Sequence, residues 1–95
     1  MASYRLTLAA EADLIRIHNT GLRKFGEVQA DKYFAALVKR FDEIVEQPYL
    51  YQSVDNIRDG YRRSACGADS IYYRVDGDGV EIMAIIGQQD TNHWK

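Results

Sequence analysis

The sequence has one cysteine, one proline and only four lysines among its 95 residues, and it has no long apolar run. The single cysteine, Cys66, excludes an internal disulfide framework and is typical of a protein from a reducing compartment. No apolar stretch reaches the roughly 20 residues that a membrane-spanning helix needs. The N-terminus, Met1-Ala2-Ser3-Tyr4-Arg5, lacks the apolar core of a signal peptide. We therefore expect a cytoplasmic protein with no membrane contact.

An excess of positive charge is also missing. The formal net charge is −2 at pH 7 and the pI is about 5.6, whereas proteins that bind the phosphate backbone carry an excess of Lys and Arg. Direct sequence-specific nucleic-acid binding is therefore not predicted. The glycines are scattered, and none precedes the Lys-Ser/Thr pair of a phosphate loop. The chain has one cysteine and two histidines, His18 and His93, at opposite ends. No metal site and no cofactor are expected.

A length of 95 residues predicts one domain, residues 1–95, with one modest core. The alternating run Tyr4–Leu8 predicts a short strand. Thr7 is also suited to cap a helix, because its hydroxyl can accept a free amide of the first turn. The periodicity predicts this helix from about Ala9 to Lys24. Its buried stripe is expected to hold Leu14, Ile17, His18, Gly21, Leu22 and Phe25.

A second helix is predicted from about Glu27 to Glu46, and it has the strongest periodic signal in the chain. Gly26 separates the two helices as a C-terminal cap, and Pro48 ends the second one. Because the link is so short, the helices must form an antiparallel hairpin. The apolar stripe of the second helix comprises Ala30, Tyr33, Phe34, Leu37, Val38, Phe41, Ile44 and Val45.

Three runs of aromatic and β-branched residues follow a polar loop from Tyr49 to Asp59. They are Gly60–Ser64, Ser70–Val75 and Val80–Ile86, and each predicts a strand. The sequence Asp76–Gly79 predicts a hairpin turn between the last two. We therefore predict an α+β fold with the order β-α-α-β-β-β. In it the N-terminal strand joins a three-stranded antiparallel meander, and the helical hairpin covers one face.

Two of these strands carry arginines that packing does not require. Residues two apart on a strand share a face. Arg62 with Ser64, and Tyr72 with Arg74, are therefore predicted to line the face away from the helices. Such a face is either solvated, with arginine stems covering aromatic rings, or a protein-binding surface, because Arg and Tyr are typical of binding hot spots. The sequence leaves both interpretations open.

The last residues of the chain have no apolar period. The pair His93-Trp94 either docks on the sheet or faces a partner, and the sequence favours neither. A nucleophile pair of Cys66 and His93 is disfavoured, because a lone cysteine in a strand is usually a small buried apolar residue. His18 is predicted to be a partly buried packing residue and not a catalyst.

A set of short motifs covers nearly the whole chain. The motifs are Tyr4-Arg5-Leu6-Thr7 running into Ala12-Asp13-Leu14, then Phe25-Gly26, Gln47-Pro48, Gly60-Tyr61-Arg62-Arg63, Ile71-Tyr72-Tyr73-Arg74-Val75, and Ile85-Ile86-Gly87 through Asp90. No single motif is decisive, but in this order and spacing the set resembles the ParE toxins of bacterial toxin–antitoxin modules, within the RelE/ParE superfamily.

The resemblance implies a bacterial toxin that is held in a hetero-oligomer by a ParD-like antitoxin and that poisons DNA gyrase by binding it. The antitoxin would lie over the helical hairpin and the sheet. The residues expected to contact the target or the antitoxin are Arg58, Arg62, Arg63, Tyr72, Arg74, Gln88, Gln89, His93 and Trp94. The apolar hairpin residues, expected to pack on the sheet or the antitoxin, are Leu14, Ile17, Tyr33, Phe34, Leu37 and Phe41.

The RelE branch of the superfamily implies a different activity, the cleavage of messenger RNA on the ribosome. Cations that stabilise the phosphate and a group that moves protons are needed for that chemistry. All four lysines lie on the predicted helices or at the last residue, so the sheet offers only arginines. This favours the gyrase-binding branch and a protein that is not an enzyme. The chain departs from the family at Ala84 and at Gln88-Gln89, where arginines are common. A non-toxic module that only binds antitoxin is the third possibility.

Overall fold

A computed structural model describes residues 3–87. The described strands form one mixed sheet in the order β1-β5-β4-β3-β2, and the helical hairpin packs on one of its faces. This architecture confirms the predicted α+β fold. Within residues 3–87, neither helix combines the length and the hydrophobicity that a membrane span requires. The elements are β1 (Tyr4–Leu6), α1 (Leu8–Phe25), α2 (Glu27–Glu46), β2 (Gln52–Ser53), β3 (Tyr61–Cys66), β4 (Asp69–Asp76) and β5 (Gly79–Gly87).

The ends of the two helices are set by capping residues. The Thr7 hydroxyl accepts a hydrogen bond from the Ala10 N–H at 3.0 Å, which confirms Thr7 as the N-cap of α1. Gly26 has a φ of 87° and donates its N–H to the Leu22 carbonyl. This left-handed conformation lets the chain turn directly into α2. The predicted bounds of α2, Glu27 and Glu46, are confirmed.

The outer strands of the sheet differ in part from the prediction. As expected, β1 joins the meander, and it pairs with β5 in parallel. It ends at Leu6 because Thr7 already belongs to the cap of α1. The prediction of a loop from Tyr49 to Asp59 was wrong at Gln52 and Ser53, which pair with β3 as strand β2. These two residues are polar and too few to produce an alternating pattern.

The prediction that Arg62 and Ser64 line the face away from the helices was wrong. Arg62 pairs with Tyr73, and Ser64 pairs with Ile71. Tyr73 and Ile71 belong to the core under the helices, and directly paired residues share a face. Arg62 and Ser64 therefore point toward the helical hairpin. Alternation tells which residues of a strand share a face, but it does not tell which face is covered.

The core lies between the hairpin and the sheet. Two residues assigned to the buried stripe of α1, Leu22 and Phe25, are instead exposed. They lie at the end of α1 where the hairpin turns, beyond the part of the helix that packs in the core. The buried residues of the core cluster are Ala10, Leu14, Ile17, Leu37, Phe41, Ile44, Cys66, Ile71, Tyr73, Val80, Ile82 and Ile85.

Side chains from the start of α1 cover the part of β5 that β1 leaves unpaired. The register pairs β1 only with residues 80–82 of β5. Beyond them, the Thr7 hydroxyl donates to the Met83 carbonyl at 2.9 Å. The Asp13 carboxylate accepts the Ile85 N–H at 2.9 Å, and the Arg16 guanidinium donates to the Ile85 carbonyl at 3.2 Å. These bonds satisfy backbone groups that would otherwise form an open strand edge.

Side chains of α2 do the same at the opposite edge, where β2 pairs only with Arg62 and Arg63 of β3. Arg40 donates through Nη1 to the Ala65 carbonyl at 2.7 Å. The Tyr33 hydroxyl reaches the β3–β4 turn just beyond, where it donates to the Cys66 carbonyl at 3.0 Å. Helix side chains therefore complete both edges of the sheet.

Candidate functional site

Arg62 and Arg63 each bind a neighbouring segment of the chain itself. Arg62 donates through Nη1 to the Tyr51 carbonyl at 2.7 Å, and its guanidinium lies over the Tyr49 ring, 5.1 Å from the centroid. Arg63, on the other face, is 3.4 Å from the Gln52 side-chain oxygen. The sheet therefore does use Arg62, because this side chain holds the segment between α2 and β2.

Arg74 is part of a charge network on the face away from the helices. Its Nη2 lies 2.7 Å from Glu81 Oε1. Arg5 lies 2.6 Å from Asp76 Oδ2 and 3.6 Å from Glu81 Oε2. Two arginines and two carboxylates thus alternate across β1, β4 and β5. Because the positive and negative charges balance, the surface around Arg74 attracts an anionic ligand only weakly.

The remaining predicted contact residues are dispersed. Tyr72 lies on the same face as Arg74 but is completely buried, so its ring is not part of the exposed surface. Arg58 is exposed in the segment before β3. Ala84, where the family often has an arginine, pairs with Tyr72 and is buried. Four predicted contacts lie outside the described residues, namely Gln88, Gln89, His93 and Trp94.

Most of the predicted hairpin residues pack on the sheet. Leu14, Ile17, Leu37 and Phe41 are buried in the core. These four side chains therefore pack on the sheet, and contact of the hairpin residues with the antitoxin stays a prediction. Phe34 is 38% exposed, and its ring meets the edge of the His18 ring.

Tyr33 fastens α2 to the turn between β3 and β4. Its single hydroxyl proton is shared between Asp69 Oδ2 at 2.7 Å and the Cys66 carbonyl at 3.0 Å, and its oxygen accepts the Ala68 N–H at 3.1 Å. Burial raises the pKa of the Tyr33 hydroxyl, and the hydrogen bond to Asp69 raises it further. Burial also raises the pKa of the Cys66 thiol, which keeps it in the unreactive protonated form.

Two tyrosines should make the protein sensitive to alkali. Burial raises the pKa of Tyr73 to about 12 and also raises the pKa of Tyr33 above the usual value of 10. Both groups stay neutral in the folded state while the unfolded state ionises. Their contribution to stability is therefore present below about pH 10 and is lost as the pH rises toward about 12. We expect the free energy of unfolding in urea to fall over this range.

Tyr73→Phe serves as the control for this pH effect. It keeps the ring but cannot ionise, so its free energy of unfolding should fall less steeply above about pH 10. Equal slopes for Tyr73→Phe and the unmodified protein would contradict the assignment.

The structure shows an exposed apolar strip on α1 that was not predicted from the sequence. Leu8, Ile15 and Leu22 are 84%, 63% and 38% exposed. They are seven residues apart, so they lie almost in line along one side of the helix. The exposed residues Phe25 and Val28 continue this row at the hairpin turn. We call these five residues the α1 strip. The heptad spacing of the three α1 residues is a signal for this strip. The buried stripe of α1 has a similar spacing, so the sequence alone does not separate the two.

A cavity of about 570 Å³ lies between the two helices and the turn from β3 to β4, next to the α1 strip. Gly21 and Ala30 bring the helices close together at its side. A β-carbon added at Gly21 would lie only 3.2 Å from Ala30 Cβ. Lys24 supplies positive charge to its lining, whereas Arg16 is paired with Asp13 at 3.3 Å and the Asp69 carboxylate accepts a hydrogen bond from Tyr33. The cavity therefore suits an apolar side chain with a carboxylate nearby.

Comparisons with known proteins agree on one family. A family model described as "ParE toxin of type II toxin-antitoxin system, parDE" matches residues 4–91. A protein called Toxin ParE1 from Caulobacter vibrioides is 39% identical over 88 residues, which cover 93% of this chain and 91% of that protein. Toxin ParE1 from Mycobacterium tuberculosis is 31% identical over 87 residues, covering 90% and 89%.

A solved structure has the same fold. It is described as a chromosomal ParDE TA system from P. aeruginosa and aligns with a TM-score of 0.80 at 22% identity. The alignment covers 92% of this chain and 96% of that chain. At this level of identity the likeness concerns the arrangement of helices and strands.

Proposed function

The chain belongs to the ParE toxin family of type II toxin–antitoxin systems, and we propose that it acts in the bacterial cytoplasm by binding DNA gyrase, which blocks replication. We further propose that a ParD-like antitoxin neutralises it in a hetero-oligomer. The observation that supports binding of an antitoxin is the exposed α1 strip. Monomeric proteins rarely leave a row of large apolar side chains in contact with water.

The geometry of the α1 strip suits a helix of the antitoxin. Leu8, Ile15 and Leu22 repeat with the heptad period that pairs one helix with another. The opposite side of α1 already packs on the sheet through Leu14 and Ile17. The fold therefore does not need the strip for its own core. A partner helix that covers it would remove this apolar surface from water.

The cavity beside the strip suits a side chain of the same antitoxin. Its apolar lining includes Ile17, Phe25 and Ala30. Lys24 contributes an ammonium group to the same lining. An antitoxin segment that inserts an apolar side chain here would place a neighbouring carboxylate within reach of Lys24.

The state of the sheet arginines supports binding and not catalysis as the mode of action. Arg62 is bound to the Tyr51 carbonyl and Arg74 is paired with Glu81, whereas Arg63 contacts the uncharged Gln52 side chain at 3.4 Å. Cleavage of RNA would need cations that are available to a phosphate group in the transition state. Moving Arg62 and Arg74 would remove the Arg62 bond from the Tyr51 carbonyl and leave Glu81 with only its longer contact to Arg5, at 3.6 Å. We therefore propose that this toxin has no enzymatic activity of its own.

The test of the proposed function is expression of the protein without its antitoxin. We expect filamentous cells and a DNA damage response, together with loss of supercoiling activity when the purified protein is added to gyrase. Co-expression with the antitoxin encoded by the neighbouring gene should restore growth. Immediate arrest of translation with cleaved messenger RNA would contradict the proposal and indicate the RelE activity. Normal growth would indicate a module that only binds antitoxin.

Ile15→Asp should weaken antitoxin binding strongly. The substitution places a charge in the middle of the α1 strip, where the partner helix would have to bury it. We expect the dissociation constant to rise roughly 30-fold, about 2 kcal/mol. Isothermal titration calorimetry with the purified antitoxin measures this change.

Ala35→Asp is the matched control, because it introduces the same charge at an exposed position of α2. It should bind antitoxin with unchanged affinity, and both variants should keep the melting temperature of the unmodified protein. If the two variants bind antitoxin equally well, the α1 strip is not the antitoxin surface.

A further inference from the structure

The short segment that joins α2 to β2 is held at both ends by side chains from the sheet. The Tyr73 hydroxyl donates to the Pro48 carbonyl at 2.5 Å. The Arg62 guanidinium donates to the Tyr51 carbonyl at 2.7 Å. These bonds fix the backbone on both sides of the two residues in between. The Leu50 N–H also donates to the Gln47 carbonyl at 3.1 Å, which closes a turn within the segment.

The two anchoring residues are neighbours in the sheet. Arg62 and Tyr73 are directly paired across β3 and β4. Tyr73 is completely buried, and its hydroxyl reaches the segment from inside the core. Arg62 also lies over the Tyr49 ring, 5.1 Å from the centroid, which restrains this side chain as well. The anchored segment is therefore a rigid part of the surface.

The segment displays two apolar side chains to solvent. Tyr49 is 67% exposed and Leu50 is 68% exposed. Neither residue contributes to the core cluster. Fixing the backbone at these positions therefore does little for the core, but it would lower the entropy lost when a partner binds them. Tyrosine is also among the residues that most often dominate a protein interface.

The pair Tyr49 and Leu50 is separate from the hairpin turn at which the α1 strip ends. It follows the C-terminus of α2, whereas Val28 lies in the first turn of the same helix. A helix of 20 residues is about 30 Å long. The other end of the strip, Leu8, lies at the same end of the antiparallel hairpin as this segment, but on the side of the sheet near β1. The segment also leads into β2, at the edge of the sheet opposite β1, and α1 packs near β1 and β5. The described part of the chain thus has two exposed apolar surfaces, which lie at opposite sides of the sheet.

We propose that Tyr49 and Leu50 form the surface that contacts the protein target of the toxin. This inference rests on the proposed function and names the part of the chain that recognises the target. The occupant is a folded protein with an apolar pocket for the two side chains and an acceptor for the Tyr49 hydroxyl. A preformed pair of side chains suits such a partner, because neither surface has to reorganise.

In this arrangement Arg62 is a positioning residue. It contacts the target only through Tyr49, whose ring and backbone it restrains. Arg62→Ala should therefore weaken target binding while the exposed side chains remain in place. Arg62→Lys keeps a cation but cannot bind the carbonyl and stack on the ring with the same planar group, so it should restore only part of the binding.

The experiment compares a double variant, Tyr49→Ala with Leu50→Ala, with a matched double variant at the hairpin turn, Phe25→Ala with Val28→Ala. Each is expressed without antitoxin to score growth, and each purified protein is titrated with DNA gyrase and with the neighbour-encoded antitoxin. We expect the first variant to lose toxicity and to bind gyrase at least roughly 30-fold more weakly, with antitoxin affinity unchanged. The second should remain toxic and bind antitoxin more weakly.

Retained antitoxin binding also shows that the first variant is folded. If that variant is as toxic as the unmodified protein, or if it loses antitoxin binding to the same extent as toxicity, the assignment of Tyr49 and Leu50 is wrong while the proposed function stands. If the unmodified protein has no effect on growth, the proposed function itself fails and this inference fails with it. Arg62→Ala with unchanged gyrase affinity would remove only the positioning role.

Discussion

Replacing Phe41 with alanine is expected to lower the free energy of unfolding by about 3–5 kcal/mol. The Phe41 side chain is completely buried between α2 and the sheet. Its ring centroid lies 5.2 Å from that of Tyr4 in β1, so the substitution leaves a cavity and also removes an aromatic pair. A domain of this size has a total stability of about 5–15 kcal/mol. Urea unfolding followed by circular dichroism measures the change.

Phe34→Ala is the matched control, because Phe34 belongs to the same helix and is 38% exposed. It should lower the free energy of unfolding clearly less than Phe41→Ala does, because alanine at a partly exposed position leaves no closed cavity. The folded fraction of Phe41→Ala should still bind antitoxin with its original affinity, because Phe41 has no exposed surface. A shared loss of affinity without a loss of stability would mean that Phe41 is an antitoxin contact after all.

Gly67→Ala is expected to lower the free energy of unfolding by about 3–5 kcal/mol. This is the sum of the backbone strain of a side chain at positive φ and the loss of the Tyr33 contacts. Gly67 has a φ of +61°, which disfavours any side chain, and a β-carbon there would overlap the Tyr33 ring. Tyr33 would have to move away, and its bonds to Asp69 and to the Cys66 carbonyl would break. The free energy of unfolding in urea is again the measurement.

Gly77→Ala separates the two contributions. Gly77 has a similar φ of +65°, but a β-carbon there would have no neighbour within 4 Å. It should therefore show only the backbone term of about 1–2 kcal/mol. If Gly67→Ala and Gly77→Ala are equally stable, then Tyr33 does not hold the turn between β3 and β4.

The helices and the meander were predictable because each has a local signal. Thr7, Gly26 and Pro48 mark the helix ends through bonds and backbone angles that involve only nearby residues. The turn around Gly77 has the same local character. Strand β2 has no such signal, because Gln52 and Ser53 become a strand only through their pairing with β3.

The candidate surfaces were harder to predict, because they depend on which face of each element is covered. Arg62 looked like a surface residue until its pairing with Tyr73 placed it beneath the helices. Ile15 and Ile17 are equally apolar, but only Ile17 faces the core. Tyr49 lies in a polar segment that Arg62, 13 residues later in the chain, and Tyr73 bind from the sheet. Such relations are set by the tertiary structure.

The completion of both sheet edges by helix side chains links hairpin undocking to self-association. The Ile85 N–H is bound by Asp13 of α1, and the Ala65 carbonyl is bound by Arg40 of α2. When the hairpin separates from the sheet, both edges become available to other chains in the same step. Aggregation should therefore depend on how often the hairpin opens, and the hydrogen-exchange rate of the Ile85 amide should report that frequency.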